Sequence, residues 1–129
     1  VIFFVDRSLG EIDVPTVLKA AGATVAVHSD LFPDDAPDRL WLTECGRRGY
    51  IVLTKDHRIR THAIERRAII QHKVKAFFLV PRKLTGVQNG AILAKALEKM
   101  RRVCTGNPPP FIALVHDNSR VKIVERPKH

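Results

Sequence analysis

Four short apolar runs, VIFFV (1–5), TVAVH (24–28), YIVLT (50–54) and KAFFLV (75–80), punctuate the first eighty residues and restrict the fold more than any other feature. They are continuous rather than alternating, and rich in β-branched and aromatic residues, as strands buried on both faces are. Helical periodicity fills the gaps. Asp13 can cap a helix carrying Val14, Val17, Leu18 and Ala21, which Gly22 closes. The turn-rich SDLFPDDAPD leads into DRLWLTECGRRG (38–49), a helix that ends at Gly46 or Gly49. Residues 59–72 read as one helix with Ile59, Ala63, Ile64 and Ile70 on one side and Arg66 and Arg67 exposed. In NGAILAKALEKMRRVC (89–104), Ile92, Leu93, Ala96, Leu97, Met100, Val103 and Cys104 form one stripe, and Gly106 with NPPP stops it. FIALVH and RVKIV, joined around Asp117-Asn118-Ser119, predict a terminal hairpin. The order β-α-β-α-β-α-β-α-β-β implies an α/β domain, a mainly parallel sheet with helices on both faces. One compact domain with a loose RPKH tail is expected.

No apolar run approaches the ~20 residues that cross a bilayer, and VIFFV is too short for a signal-peptide core. Cys45 and Cys104 lack zinc-ligand spacing and read as core-filling thiols. These features point to the cytoplasm. Net charge is +9, unevenly spread: residues 1–56 carry 6 basic and 9 acidic residues, residues 57–129 carry 16 and 4. Such a basic half attracts polyanions, and no basic amphipathic helix of the membrane-surface kind accompanies it.

In an open parallel sheet, ligands bind beyond the carboxyl ends of the strands. Asp6 directly follows VIFFV, Asp56 lies just after YIVLT, and Asp38 falls in the first turn of the helix leading into that strand. Three carboxylates brought together repel one another unless a cation joins them, and Mg2+ or Mn2+ suits an oxygen-only site shared with water and phosphate. Such an ion polarises a phosphodiester and activates water. Arg58 and Arg60, with Lys55 and Arg7, would then neutralise the nucleic-acid backbone. Plainer readings exist for each: Asp6 pairing with Arg7 or Lys55, Asp38 answering a helix dipole, Asp56 solvated among arginines. Ser8 is placed to hydrogen-bond a ligand carboxylate, and His57 is the histidine beside the site. Ser8 has no triad or G-x-S-x-G context, and both G-x-G-x-x-G and the Walker A pattern are absent.

FFVDRSLG, FPDDAPDRLWL and GYIVLTKDHRIR, followed by VKAFFLV, LTG and PPPFIALV, together resemble the PIN-like domain family, in the branch that includes VapC-type toxins. The resemblance implies a three-layer α/β/α nuclease domain over residues 1–125, with 126–129 as tail. It implies an endoribonuclease that holds Mg2+ or Mn2+ on Asp6, Asp38 and Asp56. It also implies an RNA substrate, a small antitoxin as partner and the homodimer that toxins of this sort usually form. Many members carry a fourth acidic residue near the end of strand four, where this chain has PRKLTG; a one-metal site completed by water and phosphate is chemically workable, and the sequence leaves one metal or two open. Two other readings make different predictions: a non-catalytic RNA-binding module with salt-sensitive, EDTA-insensitive binding, and a phosphoacceptor that labels with a small phosphodonor.

Overall fold

A computed structural model describes residues 1–126. Six strands form one sheet in the order β2-β1-β3-β4-β5-β6: β1 Ile2–Val5, β2 Thr24–Val27, β3 Ile51–Thr54, β4 Lys75–Leu79, β5 Phe111–Val115 and β6 Val121–Glu125. The first five run parallel and β6 returns antiparallel to β5. Helices α1 (Asp13–Ala20), α2 (His28–Leu31), α3 (Asp38–Arg48), α4 (His57–Thr61), α5 (Ala63–Gln71) and α6 (Gly86–Gly106) connect them.

The apolar strands bury both faces, and alternate residues serve two cores. Phe3, Val5, Leu53, Phe77, Leu79 and Phe111 pack with α1 and α6 on one side. Phe4, Val52, Ala76, Phe78 and Ile112 pack with α3, α4 and α5 on the other. The three-layer arrangement and C-terminal hairpin expected from the alternation are therefore present, and Cys45 and Cys104 are buried thiols.

Several local expectations are corrected. Residues 59–72 are not one helix: the chain turns extended at His62 (ψ 132°), separating α4 from α5. That break resets the helical phase, so Ile59, Ala68 and Ile69 are buried while Ile64 is exposed. Asp13 is the first residue of α1 rather than its cap, which is Ile12. α6 starts earlier than its apolar stripe, because Thr85 and Gln88 form a reciprocal capping box. α3 runs through Gly46 and ends at Gly49, whose φ of +72° suits a residue without Cβ. At Gly46, α3 passes close to the end of α5: a Cβ there would lie 2.2 Å from the His72 carbonyl oxygen. Of the expected tail, Arg126 donates to Asn107 Oδ1 (3.2 Å), and residues 127–129 lie outside the described residues.

Candidate active site

The strand order reverses between β1 and β3. From β1 the chain steps outward to β2, then returns to β1's other side and proceeds through β3, β4 and β5. Loops leaving the carboxyl ends of β1 and β3 diverge there and open a crevice. Asp6 leaves β1 at this point, and its backbone N–H donates to the Leu53 carbonyl (3.0 Å), tying the two strand ends together.

Asp6 is 6% exposed and held by hydroxyls rather than cations. Ser8 Oγ (2.8 Å) and Thr54 Oγ1 (2.7 Å) both donate to its Oδ2. Those hydroxyls in turn accept from the backbone N–H groups of Lys55 and Asp56, each at 3.0 Å. The end of β3 is thus fixed to the carboxylate of β1 through two side chains. The Arg7 or Lys55 ion pair is not found; Arg7 instead lies 3.8 Å from Asp34.

Asp38 opens α3 and accepts from Trp41 Nε1 at Oδ1 (3.0 Å). Trp41 is buried and stacked on Phe4, so the indole joins the core to the carboxylate. Removal from water holds the Asp38 pKa above its ordinary value; the charges of Asp6, Asp56 and Glu65 add to this, and the Trp41 hydrogen bond opposes it. Asp6, Asp38 and Asp56 therefore share one electrostatic neighbourhood, joined by Glu65 from the first turn of α5.

Asp56 caps α4. Its Oδ1 accepts from the Arg58 backbone N–H (3.1 Å) and Nε (3.0 Å), and its Oδ2 from Nη2 (3.0 Å). This guanidinium holds its pKa below the usual carboxylate value. Among the described residues, no three Asp, Glu, His or Cys groups stand close enough to hold a metal ion. Each carboxylate is held by its own donor, Asp6 by hydroxyls, Asp38 by an indole and Asp56 by a guanidinium. The donor set still fits a hard cation. All protein donors to Asp6 fall on Oδ2 and the one to Asp38 on Oδ1, so one oxygen of each carries no hydrogen bond among the described residues.

Beside Asp56 lies a cavity of about 530 Å³ walled by Ser8, Lys55, His57, Arg58, Thr61 and Arg82. His57 Nε2 lies 3.2 Å from the Leu79 carbonyl, which only accepts, so Nε2 carries the proton and Nδ1 is the basic nitrogen. Burial and the nearby Arg60 and Arg82 keep its pKa below the ordinary value. Arg60 does not line this cavity, and its Nε is buried without an acceptor.

Residues 1–81 match the family model described as a PIN like domain, well over half of the chain and all three aspartates. The chain belongs to the PIN-like domain family. A relative in Mycobacterium tuberculosis (strain ATCC 25618 / H37Rv), named "Putative ribonuclease VapC45", is 29% identical over 125 residues, covering 94% of this chain and 90% of the relative. No solved structure matches the chain. Within this PIN-like domain, sequence reasoning missed Thr54, Glu65 and Arg82. Thr54 reads as an ordinary β-branched strand residue, and Glu65 is hidden by the single-helix reading of 59–72. Arg82 comes from PRKLTG, which has no carboxylate and brings a cation to the site instead.

Proposed function

We propose that this chain is a divalent-metal-dependent endoribonuclease, with residues 1–125 as one nuclease domain, acting in the cytoplasm as the toxin of a toxin–antitoxin pair. The observation that carries the reading is the sharing of one neighbourhood by Asp6, Asp38 and Asp56 at the reversal of strand order, beside a cavity walled by Lys55, His57 and Arg82. The ribonuclease name of the mycobacterial relative agrees with an RNA substrate.

Asp6 and Asp38 would hold Mg2+ or Mn2+ through the oxygens that carry no hydrogen bond, and Asp56 would join them on release from Arg58. The Arg58 side chain is 76% exposed and free to move away, whereas Asp56 is 17% exposed and held bidentately, so the ion's attraction for the carboxylate has to offset the loss of that pair. When bound, the ion supplies an activated water and charge neutralisation at the phosphodiester. Ser8 and Thr54 fix the orientation of the Asp6 carboxylate. Lys55, Arg82 and the released Arg58 take the phosphates of the RNA, with Arg7 and Arg60 extending the basic surface. His57, neutral at pH 7, presents Nδ1 as a proton acceptor. A small antitoxin would silence the site by placing an arginine among the aspartates, as Arg58 does with Asp56 in this structure. Homodimerisation is part of the same reading.

The test is cleavage of single-stranded RNA with Mn2+ or Mg2+. Cleavage should stop with EDTA and fall to background in Asp6→Asn, with circular dichroism unchanged. Salt-sensitive binding without cleavage at any metal concentration would favour a non-catalytic RNA-binding module.

A further inference from the structure

Of the three aspartates, Asp38 is the least secured. Asp6 accepts from two hydroxyls, and Asp56 from both the backbone and the guanidinium of Arg58. Among the described residues, one donor reaches the Asp38 carboxylate: Trp41 Nε1, 3.0 Å from Oδ1. The helix start adds nothing, because the residue capping α3 is Pro37, whose side chain makes no hydrogen bond. The orientation of this carboxylate therefore rests on one N–H.

That N–H is held firmly. Trp41 is 1% exposed and follows Asp38 by three residues, which puts both on one side of α3. Its indole stacks on Phe4, with centroids 5.3 Å apart and planes 26° apart, and meets the His28 ring edge-on at 5.9 Å. Phe32 completes the group, 6.0 Å from Phe4 and 5.6 Å from His28. Phe4 lies in β1 two residues before Asp6, so the same packing sets the start of α3 against the strand end that carries Asp6. A buried indole needs an acceptor, and a backbone carbonyl would serve it as well as a carboxylate. Here the acceptor is a half-buried carboxylate that shares its surroundings with Asp6, Asp56 and Glu65.

We propose that Trp41 is a positioning residue of the candidate site: its N–H takes Oδ1 of Asp38 and fixes the carboxylate with Oδ2 left to the metal ion. The inference rests on the metal-dependent reading above. The indole does for Asp38 what the Ser8 and Thr54 hydroxyls do for Asp6. A carboxylate already fixed loses less freedom when it meets an ion, and removing a hydrogen-bond partner of a metal ligand costs about ten- to a hundredfold in affinity.

Trp41 is the only tryptophan of the chain, so a tryptophan analogue enters at one position. Benzothienylalanine keeps the bicyclic shape and puts sulfur in place of the N–H, whereas a ring-fluorinated tryptophan keeps the N–H. Mn2+ affinity, read by electron paramagnetic resonance, should fall roughly tenfold with benzothienylalanine. It should stay at the wild-type value with fluorotryptophan, and circular dichroism should be the same for all three proteins. In the wild-type chain, the single indole signal of a nitrogen–proton correlation spectrum should shift as Mg2+ is added. Unchanged Mn2+ affinity with benzothienylalanine would overturn the proposal, as would an indole signal indifferent to Mg2+ in a chain that binds it. Equal weakening by both analogues would assign the effect to packing and overturn it too. In either case, Mn2+ binding and metal-dependent cleavage by the wild-type chain would leave the nuclease reading standing. A wild-type chain that binds no Mn2+ would sink that reading and this inference together.

Discussion

The two faces of the sheet are built differently. On one, a single 21-residue helix, α6, lies with α1 against Phe3, Val5, Phe77 and Phe111, and its start is fixed by a capping box. On the other, the cover is divided among α3, α4 and α5, of 11, 5 and 9 residues. The long helix spends its length on burial. The short ones multiply helix starts, and three of those starts bring a carboxylate to the candidate site: Asp38 in α3, Asp56 capping α4 and Glu65 in α5. A positive helix end tolerates such charge, which is how acids can be gathered without a cation in place. One face secures the sheet and the other presents chemistry.

This contrast can be broken by substitution. Leu93→Ala, in the buried stripe of α6, should cost about 3 kcal/mol in denaturant unfolding, with metal-dependent activity per folded molecule unchanged. Gly46→Ala puts a methyl 2.2 Å from the His72 carbonyl, a backbone atom that cannot rotate away. It should cost about 2 kcal/mol by forcing α3 from α5, and activity should fall with stability because both helices carry site acids. Gly90→Ala on the other face meets the Val17 side chain at 3.2 Å and the Asp13 carbonyl at an ordinary 3.6 Å, and should cost less than Gly46→Ala, without loss of activity. Asp38→Asn keeps an acceptor for Trp41 while removing a charge repelled by Asp6, Asp56 and Glu65. Its melting temperature should rise by roughly 2 °C as activity disappears, the trade expected of a site under electrostatic stress. Smallest of all, Glu44→Gln should leave the melting temperature unchanged at physiological salt. The pKa of Glu44 is lowered to about 2 by Arg47 and Arg48, so any contribution is present above pH 4.5 and lost as pH falls toward 2, but the pair lies at the surface, with Arg47 exposed, and salt screens it.

The sheet was legible because strands buried on both faces need continuous apolar runs, and VIFFV, YIVLT and KAFFLV have no other easy use. Asp6, Asp38 and Asp56 were legible for a related reason: parallel strands align their carboxyl ends, so residues just after them share an edge. What stayed hidden depends on contacts distant in sequence. Nothing local marks Thr54 as the donor to Asp6, 48 residues away, or says that Arg58 will turn back onto Asp56. The break at His62 carries no Pro or Gly, and an apolar pattern continues across it, so in the sequence Glu65 falls inside a longer helix rather than in a new first turn.

The most direct test of the central claim is electron paramagnetic resonance of Mn2+ added to the wild-type chain and to Asp6→Asn, Asp38→Asn and Asp56→Asn. The account predicts one bound ion per wild-type chain, and binding weakened most in Asp6→Asn and Asp38→Asn. Binding of the same affinity in all four proteins, or no binding in any, would contradict it.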